Sequence, residues 1–132
     1  MATLDDVART ALALPEVTED DRRGRRSWSV GAKCFAWERS FSKADLKRFG
    51  SAPVPEGPIL AVRTADLGEK EAVLAAGSSA FFTIPHFDGY SAVLIQLIEV
   101  PEKELASAIL DGWLACAPAR LTAAYEEDQA EG

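Results

Sequence analysis

The single histidine of the chain, His86, sits in the run Ile84-Pro85-His86-Phe87-Asp88-Gly89-Tyr90. Histidine is the side chain whose ordinary pKa best suits a general base near neutral pH, and Asp88 is the residue type that orients such a base. No motif sets a serine or cysteine nucleophile beside it, and Asp88-Gly89 is equally a turn signal. The balance favours His86, Asp88 and Tyr90 as loop residues, with His86 bonding backbone there; ligand contact is the alternative. No residue is assigned a catalytic role, and the expectation is a protein that is not an enzyme.

Basic residues carry the second signal. The net charge is −7, which on average disfavours a polyanionic partner, but the charge is segregated. Residues 1–20 hold one arginine against five acids, and residues 51–132 hold four bases against thirteen acids. Between them, residues 21–50 hold nine of the fourteen bases against three acids. They are Arg22, Arg23, Arg25, Arg26, Lys33, Arg39, Lys43, Lys47 and Arg48. Screening cuts off distant acids within about 10 Å, so such a block keeps a local positive potential. It suits either phosphate groups or a solvated face paired with the acidic remainder.

Metal chemistry finds little support. A zinc site wants three or four Cys or His ligands at short spacing; the chain holds only Cys34, Cys116 and His86, far apart. Asp5, Asp6, Glu16, Glu19, Asp20 and Asp21 could serve a hard cation, though helix-start acids and a solvated loop account for them. No metal or other cofactor is expected. There is no phosphate loop, dinucleotide fingerprint or serine elbow. Both cysteines read as packing residues, and two distant cysteines suit a reducing compartment.

These residues need elements to position them. Thr3 with Asp5 and Asp6 marks a helix start, Leu4, Val7, Ala8, Ala11 and Leu12 form its apolar stripe, and Pro15 ends it. Glu16–Arg26 is polar enough to read as a connection. Arg26–Val30 and Lys33–Trp37 form a hairpin about Gly31-Ala32, which suits a type II′ turn. A regular register puts Trp28, Val30, Phe35 and Trp37 on one buried face, with Arg26 able to stack on Trp37. Ser42–Phe49 is a short helix closed by Gly50, with Leu46 and Phe49 inward. Three prolines make Ser51–Pro58 a loop.

Ile59–Arg63 reads as a strand, and Asp66 caps a helix running to Gly77. Phe81–Ile84 and Ala92–Ile98 are strands, the second apolar on both faces. Pro101 opens a last long helix with Leu105, Ile109, Trp113 and Cys116 in its stripe. A short piece near Leu121 and Tyr125 docks on the body, and residues 126–132 read as an acidic, disordered tail. The order is that of an α+β domain with a mostly antiparallel sheet. At 132 residues and 48% hydrophobic, it is one globular domain over residues 1–125. No stretch nears the ~20 apolar residues of a membrane span, and an acidic start is the reverse of a signal peptide. A cytoplasmic protein is expected.

Three segments together resemble the MmcQ/YjbR family of small bacterial proteins. They are Leu14–Glu19, Ser27–Trp37 and Phe81–Tyr90, supported by Trp113, Ala117-Pro118 and Leu121. The likeness spans about residues 3–125, with Ser91 standing where the family often has proline. It implies a CyaY/frataxin-like α+β fold, a single antiparallel sheet with N- and C-terminal helices on one face. It also implies DNA binding through a "double wing" of hairpins, with no catalytic residues. Mapped here, the first wing is the Arg26–Trp37 hairpin and the second is the His86 loop. The leading expectation is weak, non-specific contact with double-stranded DNA through Arg22, Arg23, Arg25, Arg26, Lys33, Lys43, Lys47 and Arg48. An acidic protein surface or a small anion near His86 and Tyr90 is the alternative, and a frataxin-like metal carrier a lesser one.

Overall fold

The computed structural model describes residues 2–76 and 78–131. Helix α1 (Leu4–Leu12) starts where Thr3 caps it: the Asp6 N–H donates to the Thr3 hydroxyl at 3.2 Å and the Thr3 N–H to the Asp6 carboxylate at 2.8 Å. Strands β1 (Val17–Arg22), β2 (Arg25–Val30) and β3 (Lys33–Glu38) follow, then α2 (Lys43–Phe49), β4 (Ile59–Arg63) and α3 (Leu67–Ala76). Strand β5 (Phe81–Phe82), a 3₁₀ turn at Pro85–Phe87, β6 (Ala92–Gln96), α4 (Glu102–Cys116) and α5 (Ala119–Glu131) complete the chain. The six strands form one antiparallel sheet in the order β1-β2-β3-β4-β6-β5. The α+β expectation holds, with the first and the late helices on one face.

Strands β4 and β6 are neighbouring interior strands and bury both faces, as their unbroken apolar runs require. On one face Val7, Trp28, Phe35, Leu60, Val93, Ile109 and Trp113 form the main core beneath α1 and α4. Gly112 lets α4 approach closely: a Cβ there would stand 2.7 Å from Val62 Cγ1. On the other face Ile59, Ala61, Leu94, Ile84 and Phe87 make a smaller core, closed by Trp37, Phe41, Phe49 and Phe82. Helix α2 and the Pro85–Phe87 turn supply part of that cover.

The structure corrects several expectations. Glu16–Arg26 is no mere connection, because Val17–Arg22 pairs along its whole length with β2 as the edge strand. Its acids suit an edge, where charge deters further strand pairing. Arg23 and Gly24 turn it into β2 with φ of 56° and 80°, the two positive values of a type I′ turn. The second turn, Gly31-Ala32, pairs Val30 with Lys33 as expected.

Beyond that pair the register changes. Ser29 faces Cys34 but Trp28 faces Ala36, so Phe35 is an extra residue and Trp37 opposes Ser27. Phe35 and Ala36 both enter the main core, and Trp37 is turned to the opposite face. Arg26 therefore lies over Trp28 at 5.6 Å, not over Trp37.

Leu46 is 46% exposed because the inward position of α2 belongs to Asp45, which is buried against Arg39 at 2.9 Å. Strands β5 and β6 are shorter than the apolar runs suggest, since Pro85 starts a turn and Leu97 and Ile98 leave the ladder. The piece near Leu121 is a full helix, and the acidic end is helical as far as Glu131. Gly77, the expected end of α3, lies outside the described residues.

Candidate functional site

The second face of the sheet is only partly covered. Its free portion, at the β2–β3 end, presents Arg25 and Ser27 of β2, Cys34 and Trp37 of β3 across the extra residue, and Arg63 of β4. The β1–β2 turn, with Arg22 and Arg23, rises on one side of this floor, and His86 and Tyr90 of the loop after β5 stand on the other. The result is an open cleft of about 680 Å³. Six arginines line it, Arg22, Arg23, Arg25, Arg26, Arg39 and Arg63, and the one carboxylate on its wall is Glu38.

These arginines differ in what they are free to do. Arg26 is held from three points: it donates from Nε and Nη2 to Glu19 at 2.9 and 3.1 Å, and from Nη1 to Asp5 at 2.8 Å. Glu19 also accepts the indole N–H of the fully buried Trp28 at 2.9 Å. The Arg26 guanidinium holds the Glu19 carboxyl below its usual range, and the two acids raise Arg26 in turn. Its charge is spent inside the fold.

Arg39 is similarly engaged by Asp45. Burial pushes the Asp45 carboxyl up, but the Ser42 N–H and hydroxyl and the Arg39 charge outweigh it, so it stays below its ordinary value. Arg22 meets only Asp20, at 3.5 Å on the open surface, where an ion pair contributes little. Arg23, Arg25 and Arg63 have no ion-pair partner among the described residues.

Arg63 is the centre of the floor. Its Nε donates to the Cys34 carbonyl at 2.8 Å, and its guanidinium carbon lies 5.6 Å from the Trp37 ring and 5.3 Å from the Tyr90 ring. The contacts fix one edge of the guanidinium and leave its charge unneutralised. In the sequence Arg63 stands alone in an acidic stretch, and nothing local marks it. The β3–β4 ladder brings it here, pairing Ala36 with Val62 and Trp37 with Ala61.

The loop carrying His86 is held by another residue. Lys70 of α3 is 6% exposed and donates from Nζ to the carbonyls of Phe87 at 2.7 Å and Tyr90 at 2.8 Å. Burial lowers its pKa, partly offset by the nearby Asp88 carboxylate. His86, expected to bind this backbone, is instead exposed on the cleft wall, and Asp88 makes no hydrogen bond to it among the described residues. Tyr90 is 37% exposed and packs on Phe87 at 5.5 Å between ring centres.

The rest of the basic block lies elsewhere. Lys33 lines an adjoining hollow of about 460 Å³ that shares Arg63 and Cys34 with the main cleft. Lys43, Lys47 and Arg48 are exposed on α2 and do not line the cleft. The early acids are each engaged: Asp6 by Arg9 and the α1 cap, Asp5 and Glu19 by Arg26, Glu16 by Arg120, Asp20 by Arg22, and Asp21 by the Gly24 N–H. Cys116 is buried, which pushes its thiol up.

Comparison with known proteins decides the family. A family model described as YjbR matches residues 12–115, a span containing every element of the cleft. The chain belongs to the YjbR family. Relatives of this YjbR chain include uncharacterized proteins of Mycobacterium bovis and Mycobacterium tuberculosis. Each is 44% identical over 128 residues, 95% of this chain and 96% of the relative. Among solved structures, protein DR2400 of Deinococcus radiodurans, with a DUF419 domain, has a TM-score of 0.59 at 20% identity. The match covers 86% of this chain and 78% of that one, and it supports the YjbR fold alone. Among the described residues of this YjbR protein no helix is long and apolar enough to cross a membrane.

Proposed function

We propose that this protein is a non-enzymatic cytoplasmic domain that binds DNA through phosphate contacts in the arginine cleft. One observation carries the reading: Arg23, Arg25 and Arg63 converge on a single cleft, and none of them is ion-paired among the described residues. Unpaired guanidinium groups on a concave surface suit phosphate oxygens, which accept from the planar fork in pairs. The contacts fix position on a backbone and carry no base sequence, so binding is non-specific. The overall charge of −7 works against a long polyanion and keeps the affinity modest.

The test is fluorescence anisotropy of a labelled duplex across a salt series. Four contacts, from Arg22, Arg23, Arg25 and Arg63, give a log–log slope near −3.6. An Arg22→Ser, Arg23→Asn, Arg25→Ser variant loses most of that slope while keeping the Arg26 contacts intact. Absence of binding at ~50 mM salt, where phosphate contacts are strongest, would overturn the reading.

The size of the cleft favours a second reading, a small anionic ligand. At about 680 Å³ it is as large as sites that hold small molecules, and His86 and Tyr90 face the same space. Saturable thermal stabilisation by inorganic phosphate or a dicarboxylate, lost in His86→Ala and without preference for a polymer, would select it.

A further inference from the structure

The main cleft and the hollow beside it meet at one end of the floor. Both are lined by Arg63 and Cys34, but the second passes to Lys33, Ala115 and Cys116 on the α4 side of the sheet, so the first alone forms the groove. Cations mark its floor, with Arg23 and Arg25 at one end and Arg63 at the other. The track follows the sheet floor, recessed between the β1–β2 turn and the loop of residues 85–90. Aromatic surface lies along it, with exposed Tyr90 and half-buried Trp37 both against Arg63 and 6.4 Å apart between ring centres.

A duplex offers such a groove only its outer phosphates, because its bases stay stacked inside. A single strand offers phosphates and free base faces together, and bases stack on exposed aromatic rings and on guanidinium planes. The hairpin tip that a duplex groove would receive is Gly31-Ala32, with no side chain able to read a base edge. We propose that the groove accepts single-stranded nucleic acid, its phosphates running from Arg23 and Arg25 to Arg63, with a base stacked on Tyr90. This inference rests on the nucleic-acid reading above and narrows it to a strand form.

Competition anisotropy separates the two. The full-length protein is titrated with a labelled oligothymidylate of about a dozen nucleotides and with a duplex of equal length. The expected result is a roughly ten-fold preference for the single strand, lost by about ten-fold in Tyr90→Ala and kept in Tyr90→Phe. The Tyr90 side chain is exposed and Lys70 holds its backbone carbonyl, so the variants keep the loop clasp. A second readout is intrinsic fluorescence: Trp28 and Trp113 are fully buried, leaving Trp37 as the tryptophan a bound base would quench. Equal or tighter duplex binding overturns this inference and leaves the nucleic-acid reading standing. A single-strand preference indifferent to Tyr90→Ala overturns the stacking geometry. If neither oligonucleotide binds, the broader reading falls and this one with it.

Discussion

The ammonium group of Lys70 lies 2.7 Å from the carbonyl oxygen of Phe87, and the pair ties α3 to the wall of the cleft. With the bond to Tyr90 it adds a second donor to two backbone carbonyls, which also accept the Tyr90 and Ala92 N–H groups at 3.0 and 2.8 Å. A buried lysine is costly unless its donors are used, and here it fixes the loop that presents His86 and Tyr90. Its lowered pKa is the physical trace of that burial.

Removing that clasp is the first prediction. Lys70→Met keeps the apolar stem but removes two charge-assisted hydrogen bonds from carbonyls that keep their backbone donors, which costs about 1.5–3 kcal/mol. Urea unfolding is expected to report that loss, and anion affinity to fall with it because Tyr90 is no longer held. A midpoint unchanged from wild type would show that the loop does not depend on Lys70.

Arg23 separates binding from folding. It sits at φ 56°, a left-handed conformation that asparagine tolerates better. Arg23→Asn is therefore expected to stabilise the protein by about 0.5–1 kcal/mol while weakening anion binding and flattening its salt dependence. Loss of both stability and binding would mean that the Arg23 side chain supports the fold.

Arg26 should behave in the opposite way. Its two carboxylate partners and the Trp28 indole bound to Glu19 make one network. Arg26→Ala is expected to cost about 1.5–3 kcal/mol, measured by denaturation, with the salt slope of binding unchanged. A steep loss of slope at unaltered stability would place Arg26 among the ligand contacts.

Acid should expose the same network. The folded Glu19 carboxyl lies below its ordinary 4.5, and Asp45 below its ordinary 3.8. Their stabilisation is complete above those values and is lost as pH falls through the lower folded ones, where the unfolded chain binds more protons. Urea midpoints from about pH 7 to about pH 3 are expected to fall below pH 4.5, with a smaller drop in Glu19→Gln. A flat wild-type profile would contradict the assignment.

Gly112 tests the packing that carries the floor. A Cβ at that position would meet Val62 Cγ1 at 2.7 Å, so α4 must shift from the sheet. Gly112→Ala is expected to destabilise by about 1–3 kcal/mol, despite the better helix propensity of alanine. An increase in the unfolding midpoint would show that helix and sheet can part there without strain.

Local chemistry made much of the fold legible. Thr3, Ser42 and Asp66 start helices because each side chain accepts an otherwise unpartnered N–H, and such signals need no distant partner. Gly31-Ala32 sets its hairpin in the same way, and the apolar runs of Ile59–Val62 and Ala92–Ile95 announce strands buried on both sides. β1 was hidden because an edge strand gains its pairing from β2 while its side chains remain solvated.

The sequence by itself determined the element order apart from β1 and the full extent of α5, the segregated charge and the arginine-rich segment that lines the cleft. The tertiary structure decided which of those arginines are free. Arg26 and Arg39 are claimed by acids that chain folding brings near, and Arg63 reaches the cleft through β3–β4 pairing. It also decided where Trp37 points, because the extra residue at Phe35 reverses the alternation that a regular hairpin would keep. A strand's side-chain period is local, but which residue is skipped depends on what packs against both faces, and here α4 and the core draw Phe35 and Ala36 to one side.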